Sequence, residues 1–159
     1  EIAYTAGLRA HELLTLQPRS ERTPDPRPAL PTKFEGREDG SRYVVTGKGG
    51  LIREVQLPSH LAARLEAQRL ATPRPVTDRH VYYQQHYAIG GGQPWSMAVS
   101  RAAKAALGWS TGAQGLRHAY AQERVTELQT LEHSQKVANE TVSQELGHFR
   151  PEITTTYLR

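Results

Sequence analysis

The chain has 159 residues, 37% hydrophobic and 23% charged, enough for one domain with its own core. With no cysteine it excludes a disulfide framework, a thiolate metal site and a cysteine nucleophile together. Twenty Lys and Arg against sixteen Asp and Glu leave a net charge of +4, a mild excess that permits a polyanionic partner. No stretch approaches the run of roughly 18 apolar residues that a bilayer helix needs. Nothing at the start resembles a secretion signal, so a cytoplasmic location is expected. The chain opens Glu1-Ile2-Ala3-Tyr4 without a Met and reads as a piece of something longer.

In chain order, Ile2 to Leu16 reads as helix, with Leu8, Leu13, Leu14 and Leu16 on an apolar side and a turn at Gly7. Pro18 stops it, and about 18–40 forms a Pro-rich surface excursion with almost nothing for a core. Arg42 to Thr46, the turn Gly47-Lys48-Gly49-Gly50 and Leu51 to Leu57 read as a β-hairpin. In its second strand Leu51, Arg53, Val55 and Leu57 share one face. Ser59 is the expected N-cap of a helix running through Leu61 and Leu65 towards Pro73. Thr72 to Trp95 is turn-rich, with Gly90-Gly91-Gly92 and a cluster of aromatics. Ser96 opens another expected helix, with Val99, Ala102, Ala103, Ala106 and Leu107 on its apolar side and Gly108 at its end. Leu116 to Leu131 is the longest helical candidate, and a short helix at about Thr141 to Leu146 ends at Gly147. The expected fold is α+β and mainly helical, with a small antiparallel sheet at one edge, the hairpin at about 42–57.

Three separated features carry possible chemistry. Arg9 and Glu12 stand three residues apart, where a carboxylate can orient a guanidinium, although such pairs are also ordinary surface ion pairs. Arg117 and His118 open an apolar helix, a position that suits an anion or is simply a solvated helix start. His148 follows a helix-ending Gly, with Tyr157 nine residues later; the spacing has no metal-ligand regularity, and each residue alone reads as a packed amphipathic side chain.

Taken together and in order, Gly7-Leu8-Arg9-x-x-Glu12-Leu13, Gly47-Lys48-Gly49-Gly50, Gly115-Leu116-Arg117-His118-Ala119-Tyr120-Ala121 and Leu146-Gly147-His148 followed by Tyr157 resemble the catalytic domain of the tyrosine recombinases, the phage-integrase family. The resemblance spans Tyr4 to Tyr157 and makes residues 1–159 one catalytic domain. It implies that Arg9 and Arg117 are catalytic arginines, Lys48 the hairpin lysine, His148 the His/Trp position and Tyr157 the nucleophile. Glu12 and His118 would support them. The family's second motif usually reads His-x-x-Arg, whereas this chain has Gln114 three residues before Arg117. Glutamine can donate a hydrogen bond to a phosphoryl oxygen but cannot titrate near neutrality.

What the resemblance implies is cleavage of double-stranded DNA through a 3′-phosphotyrosine, without metal or cofactor, followed by rejoining to another strand. Arg101, Lys104 and Arg124 are expected to contact DNA phosphates, with a merely solvated face as the alternative. The family's N-terminal DNA-clamping domain is expected to be missing from this piece, which alone would be a monomer. The full-length protein would act on DNA as a tetramer in a prokaryotic cytoplasm. A type IB topoisomerase-like relaxing enzyme and a DNA-binding accessory protein are the rival readings.

Overall fold

In the computed structural model residues 1–148 are described, and Tyr157 lies outside them. Helix α1 (Ile2–Ala6) ends at Gly7, which turns the chain with φ 69°. A Cβ at Gly7 would lie 2.9 Å from side-chain atoms of both Tyr120 and Leu146, so this turn needs glycine for its conformation and for its space. The chain then forms a short 3-10 turn, His11–Thr15. Strand β1 (Gln17–Pro18) pairs antiparallel with β2 (Ser41–Thr46), which pairs with β3 (Ile52–Leu57) in the order β1-β2-β3. The expected hairpin is therefore present, with Val45 opposite Arg53 and Tyr43 opposite Val55.

Helix α2 (Ser59–Glu66) buries Leu61 and Leu65. Pro58, not Ser59, holds its N-cap position; the Ser59 hydroxyl instead donates to Asp39, 2.9 Å away. Where turns were expected, β4 (Arg69–Asp78) and β5 (Val81–Tyr87) form a second antiparallel hairpin. Pro73 and Pro75 fit β4 because a two-stranded sheet leaves each strand an outer edge, where a missing N–H costs no ladder bond. Helices α3 (Gly92–Leu107), α4 (Gln114–Thr130) and α5 (Gln135–Leu146) complete the described chain. The architecture is α+β and mainly helical. Helix α3 starts ahead of Ser96 and buries only Gly92, and Leu107 on its expected apolar side is 63% exposed. Helix α5 is longer than expected because Ser134 caps it, its hydroxyl accepting from the Val137 amide at 3.2 Å.

Two apolar clusters form the core. The first joins Ala3, Leu8, Leu13 and Leu16 to Tyr43, Val55, Leu57 and Leu65. The second lies between α4 and α5 and includes Tyr120, Val125, Leu128, Val142 and Leu146. The Pro-rich segment is exposed over most of 19–29 but then straps across this second cluster. The Leu30 amide donates to Gln144, the Thr32 and Thr141 hydroxyls share a bond of 2.6 Å, and the buried Phe34 donates its amide to Glu145. Arg37 forks onto Glu127 and donates to the Thr5 carbonyl. The expected coreless excursion is thus half strap, held by polar bonds and by one buried ring. Among the described residues no helix is long and apolar enough to cross a membrane.

Candidate active site

Arg9 sits between α1 and the 3-10 turn rather than within a helix, and its amide donates to Glu12 Oε1 at 2.8 Å. Its guanidinium is 28% exposed and only 3.9 Å from Glu12 Oε2, a loose pairing. The Glu12 carboxylate is fully buried and principally serves another partner. Arg53, from β3, grips it with Nε at 3.1 Å and Nη2 at 2.9 Å, and also donates to the Glu145 carbonyl at 2.8 Å. Arg117 Nη1, from α4, stands 3.7 Å from the same carboxylate. Burial alone would push the Glu12 carboxyl up, but the charge and hydrogen bonds of Arg53, followed by the charge of Arg117, hold it at about 2.

Arg117 is 0% exposed; its Nη1 donates to the Gly7 carbonyl at 2.5 Å and its Nη2 to the Leu146 carbonyl at 3.3 Å. Nη2 also faces His148 Nε2 at 3.5 Å. Gly147, at φ 83°, delivers His148 to this place; a Cβ there would come within 2.6 Å of Arg53 Cδ. Burial first, then the charges of Arg117, Arg9 and Arg53, lower the His148 pKa to about 4, so the ring is neutral at pH 7.

Above this cluster opens a groove of about 940 Å³, lined by Arg9, Lys48 and Gln114 among the expected residues. Lys48 stands at the β2–β3 turn, and Gln114 is the first residue of α4. Arg117 and His148 lie behind the lining, joined to Arg9 through Glu12. His118 is half-buried on α4. Arg101 and Lys104 are exposed on α3, outside the groove lining. Arg124 departs from the expected basic face: it is 0% exposed and bonded to Glu145 and Glu127, because α4 turns it towards α5 instead of solvent. Tyr157 lies outside the described residues, and among those described no group of three or more His, Asp or Glu could hold a metal ion.

Arg53 is the residue that sequence reasoning passed over. Its signal was present: a charged residue sharing the strand face of Val55 and Leu57, both buried. A guanidinium in that position must find acceptors inside the protein.

The architecture is similar to solved structures of the XerH site-specific recombinase. One is a post-cleavage complex with a palindromic difH substrate, matched with TM-score 0.57 at 18% identity over 99% of this chain. A pre-cleavage complex with difH matches with TM-score 0.57 at 20% identity. The fold is tyrosine-recombinase-like. The chain spans 40 to 41% of the length of those recombinases. No protein-family model and no curated protein match it.

The buried ionisable groups give the fold a signed pH dependence. Folded His148 binds a proton only near pH 4, whereas unfolded it does so near the usual 6.5, so the unfolded chain binds more protons in between. Stability is therefore expected to fall as pH drops from 6.5 towards 4. Glu12 extends the loss from 4.5 towards 2. Urea midpoints measured from pH 8 to 4 would show it, and His148→Gln should flatten the slope above pH 4.5; an unchanged slope in that variant would remove His148 as the cause.

Proposed function

We propose that this chain is the catalytic part of a site-specific DNA recombinase that cleaves one strand of duplex DNA through a 3′-phosphotyrosine on Tyr157. The observation that carries the reading is the convergence of Arg9, Lys48 and Gln114 on one groove, backed by Arg117 and His148 in a single charged cluster. The recombinase-like fold, with DNA held by the similar XerH proteins, supports it.

In the proposed step the Tyr157 Oη attacks the scissile phosphorus, and the bond to the 5′-oxygen breaks. Arg9 lines the groove and holds a non-bridging oxygen, while Arg117, linked to it through Glu12, adds a second charge that does not titrate away. Lys48, on a Gly-flanked turn that reaches the groove, protonates the leaving 5′-oxygen. A free phenol has a pKa of about 10, so the tyrosine needs help to ionise. The neutral His148 ring is suited to accept its proton rather than to supply one. Gln114 contributes an amide donor to the phosphate. The phosphotyrosine keeps the energy of the broken ester, so a hydroxyl from another strand, brought by a further subunit, reverses the step.

Trapping on a nicked suicide duplex with the full-length protein tests this reading. The expected result is a covalent protein–DNA adduct that Tyr157→Phe abolishes and that Arg9→Ala slows by about a hundred- to a thousand-fold. An adduct that survives Tyr157→Phe would overturn the proposal.

A further inference from the structure

The β4–β5 hairpin brings a second set of side chains to the groove. Asp78, Arg79, Val81, Tyr82 and Tyr83 all line it. Asp78 pairs with Val81 across a two-residue turn in which Arg79 and His80 have φ 49° and 67°, the left-handed geometry that matches strand twist. The tip is anchored. Asp78 Oδ1 accepts from the Gln93 amide at 2.9 Å, at the start of α3, and the neighbouring Gly92 amide donates to the Ala10 carbonyl at 2.7 Å. Ala10 adjoins Arg9, so the hairpin tip is tied to the loop that carries the first arginine. Tyr83 stands 6.5 Å from the His11 ring, a further brace between the hairpin and the 3-10 turn.

The tip nevertheless presents an aromatic ring to water. Tyr82 is 85% exposed and Val81 49%, and Tyr82 makes no hydrogen bond or ring contact among the described residues. Around it the groove lining carries Arg9, Arg22, Lys48 and Arg79, against the single carboxylate of Asp78. That carboxylate is already bonded to the Gln93 amide, and Arg22, Lys48 and Arg79 form no ion pair among the described residues. A rigid tip with an uncommitted guanidinium beside an uncommitted aromatic ring matches duplex DNA, which alternates phosphates with apolar sugar faces.

We infer that the β4–β5 tip is a DNA contact separate from the catalytic cluster: Arg79 neutralises a backbone phosphate, and Tyr82 packs its ring against the adjoining sugar. The inference rests on the reading of the groove as a DNA-binding one. It assigns the two residues different physical roles. A phosphate contact releases counterions and is salt-dependent, with a slope of about −0.9 per phosphate in log affinity against log salt, whereas ring packing leaves that slope alone.

Anisotropy titration of the full-length protein on a mixed-sequence duplex, between about 50 and 200 mM salt, separates these roles. Arg79→Asn removes the charge and keeps a residue that tolerates the left-handed turn. It is expected to reduce the magnitude of the salt slope by about one. Tyr82→Ala is expected to weaken binding by about fivefold or more at unchanged slope, and Tyr82→Phe to restore it. Both positions are exposed, and unchanged urea midpoints would exclude misfolding as the cause. If the wild-type protein binds and both variants match it in affinity and slope, the inference falls while the functional reading stands. If the wild-type protein shows no salt-dependent binding to duplex DNA, the functional reading falls and takes this inference with it.

Discussion

Glu12→Ala is expected to destabilise the chain by about 3–5 kcal/mol, the range seen when one partner of a buried ion pair is removed. The reason lies in what would remain. Arg53 and Arg117 are 5% and 0% exposed, and both direct guanidinium nitrogens at the Glu12 carboxylate. Without it, two cations would face each other in the interior, and the Arg9 amide would lose its acceptor as well. A domain of this size typically has only about 5–15 kcal/mol in total, so the loss is a large part of it. Glu12→Gln keeps the shape and one acceptor oxygen and is expected to lose less. Urea denaturation ranks the three proteins, and a Glu12→Ala midpoint equal to that of the parent would mean that the two arginines find other acceptors. The proposed DNA cleavage should suffer even in whatever fraction remains folded. Glu12 Oε2 also underlies the Lys48 turn, 3.1 Å from where a Cβ on Gly47 would stand, so its removal loosens the cluster and the turn together.

Glu145→Ala should have an effect of similar size at the other cluster. Its carboxylate is 1% exposed and accepts from the Tyr120 hydroxyl, from two nitrogens of Arg124 and from the Phe34 amide. Removing it leaves Arg124 fully buried with only Glu127 beside it, and leaves a buried hydroxyl and a buried amide unsatisfied. The loss is expected to be about 3–5 kcal/mol, accompanied by release of the strap formed by 30–38. Limited proteolysis distinguishes this from simple destabilisation: cleavage should move into the strap under conditions where the Glu12 variant, at matched stability, is still protected there. Equal protection of the strap in both variants would count against its anchoring by Glu145. Because α5 continues directly into Gly147 and His148, the same substitution is expected to displace the histidine from Arg117.

Much of this arrangement was legible before any coordinates, though unevenly. The β2–β3 hairpin could be read because two apolar stretches flank a Gly-rich turn and the second alternates, and α4 because its apolar residues recur near helical spacing. Glycines announced the turns at Gly7, Gly108 and Gly147, where all three residues adopt positive φ. The β4–β5 hairpin could not be read the same way. Most β4 residues are exposed, so no apolar alternation marks the strand, and its two prolines argue for a turn. Polar partnerships were hidden for a different reason. Arg124 looks from sequence like any solvent-facing helix residue, because its acceptor Glu145 lies 21 residues away. Likewise the strap looks coreless until Phe34 and its amide find α5.

The sequence by itself marked the β2–β3 hairpin and the long helix α4, excluded thiol chemistry, and set out in chain order the motifs that carry Arg9, Lys48, Gln114 and Arg117. These follow from local preferences and residue chemistry, which act over a few neighbouring residues. Only the tertiary structure decided that Arg53 holds Glu12, that Arg117 lies behind the groove instead of lining it, and that Arg124 faces inward. Those assignments depend on which distant carboxylates a buried guanidinium can reach, and burying such a charge is costly enough that packing, not sequence position, selects its partner.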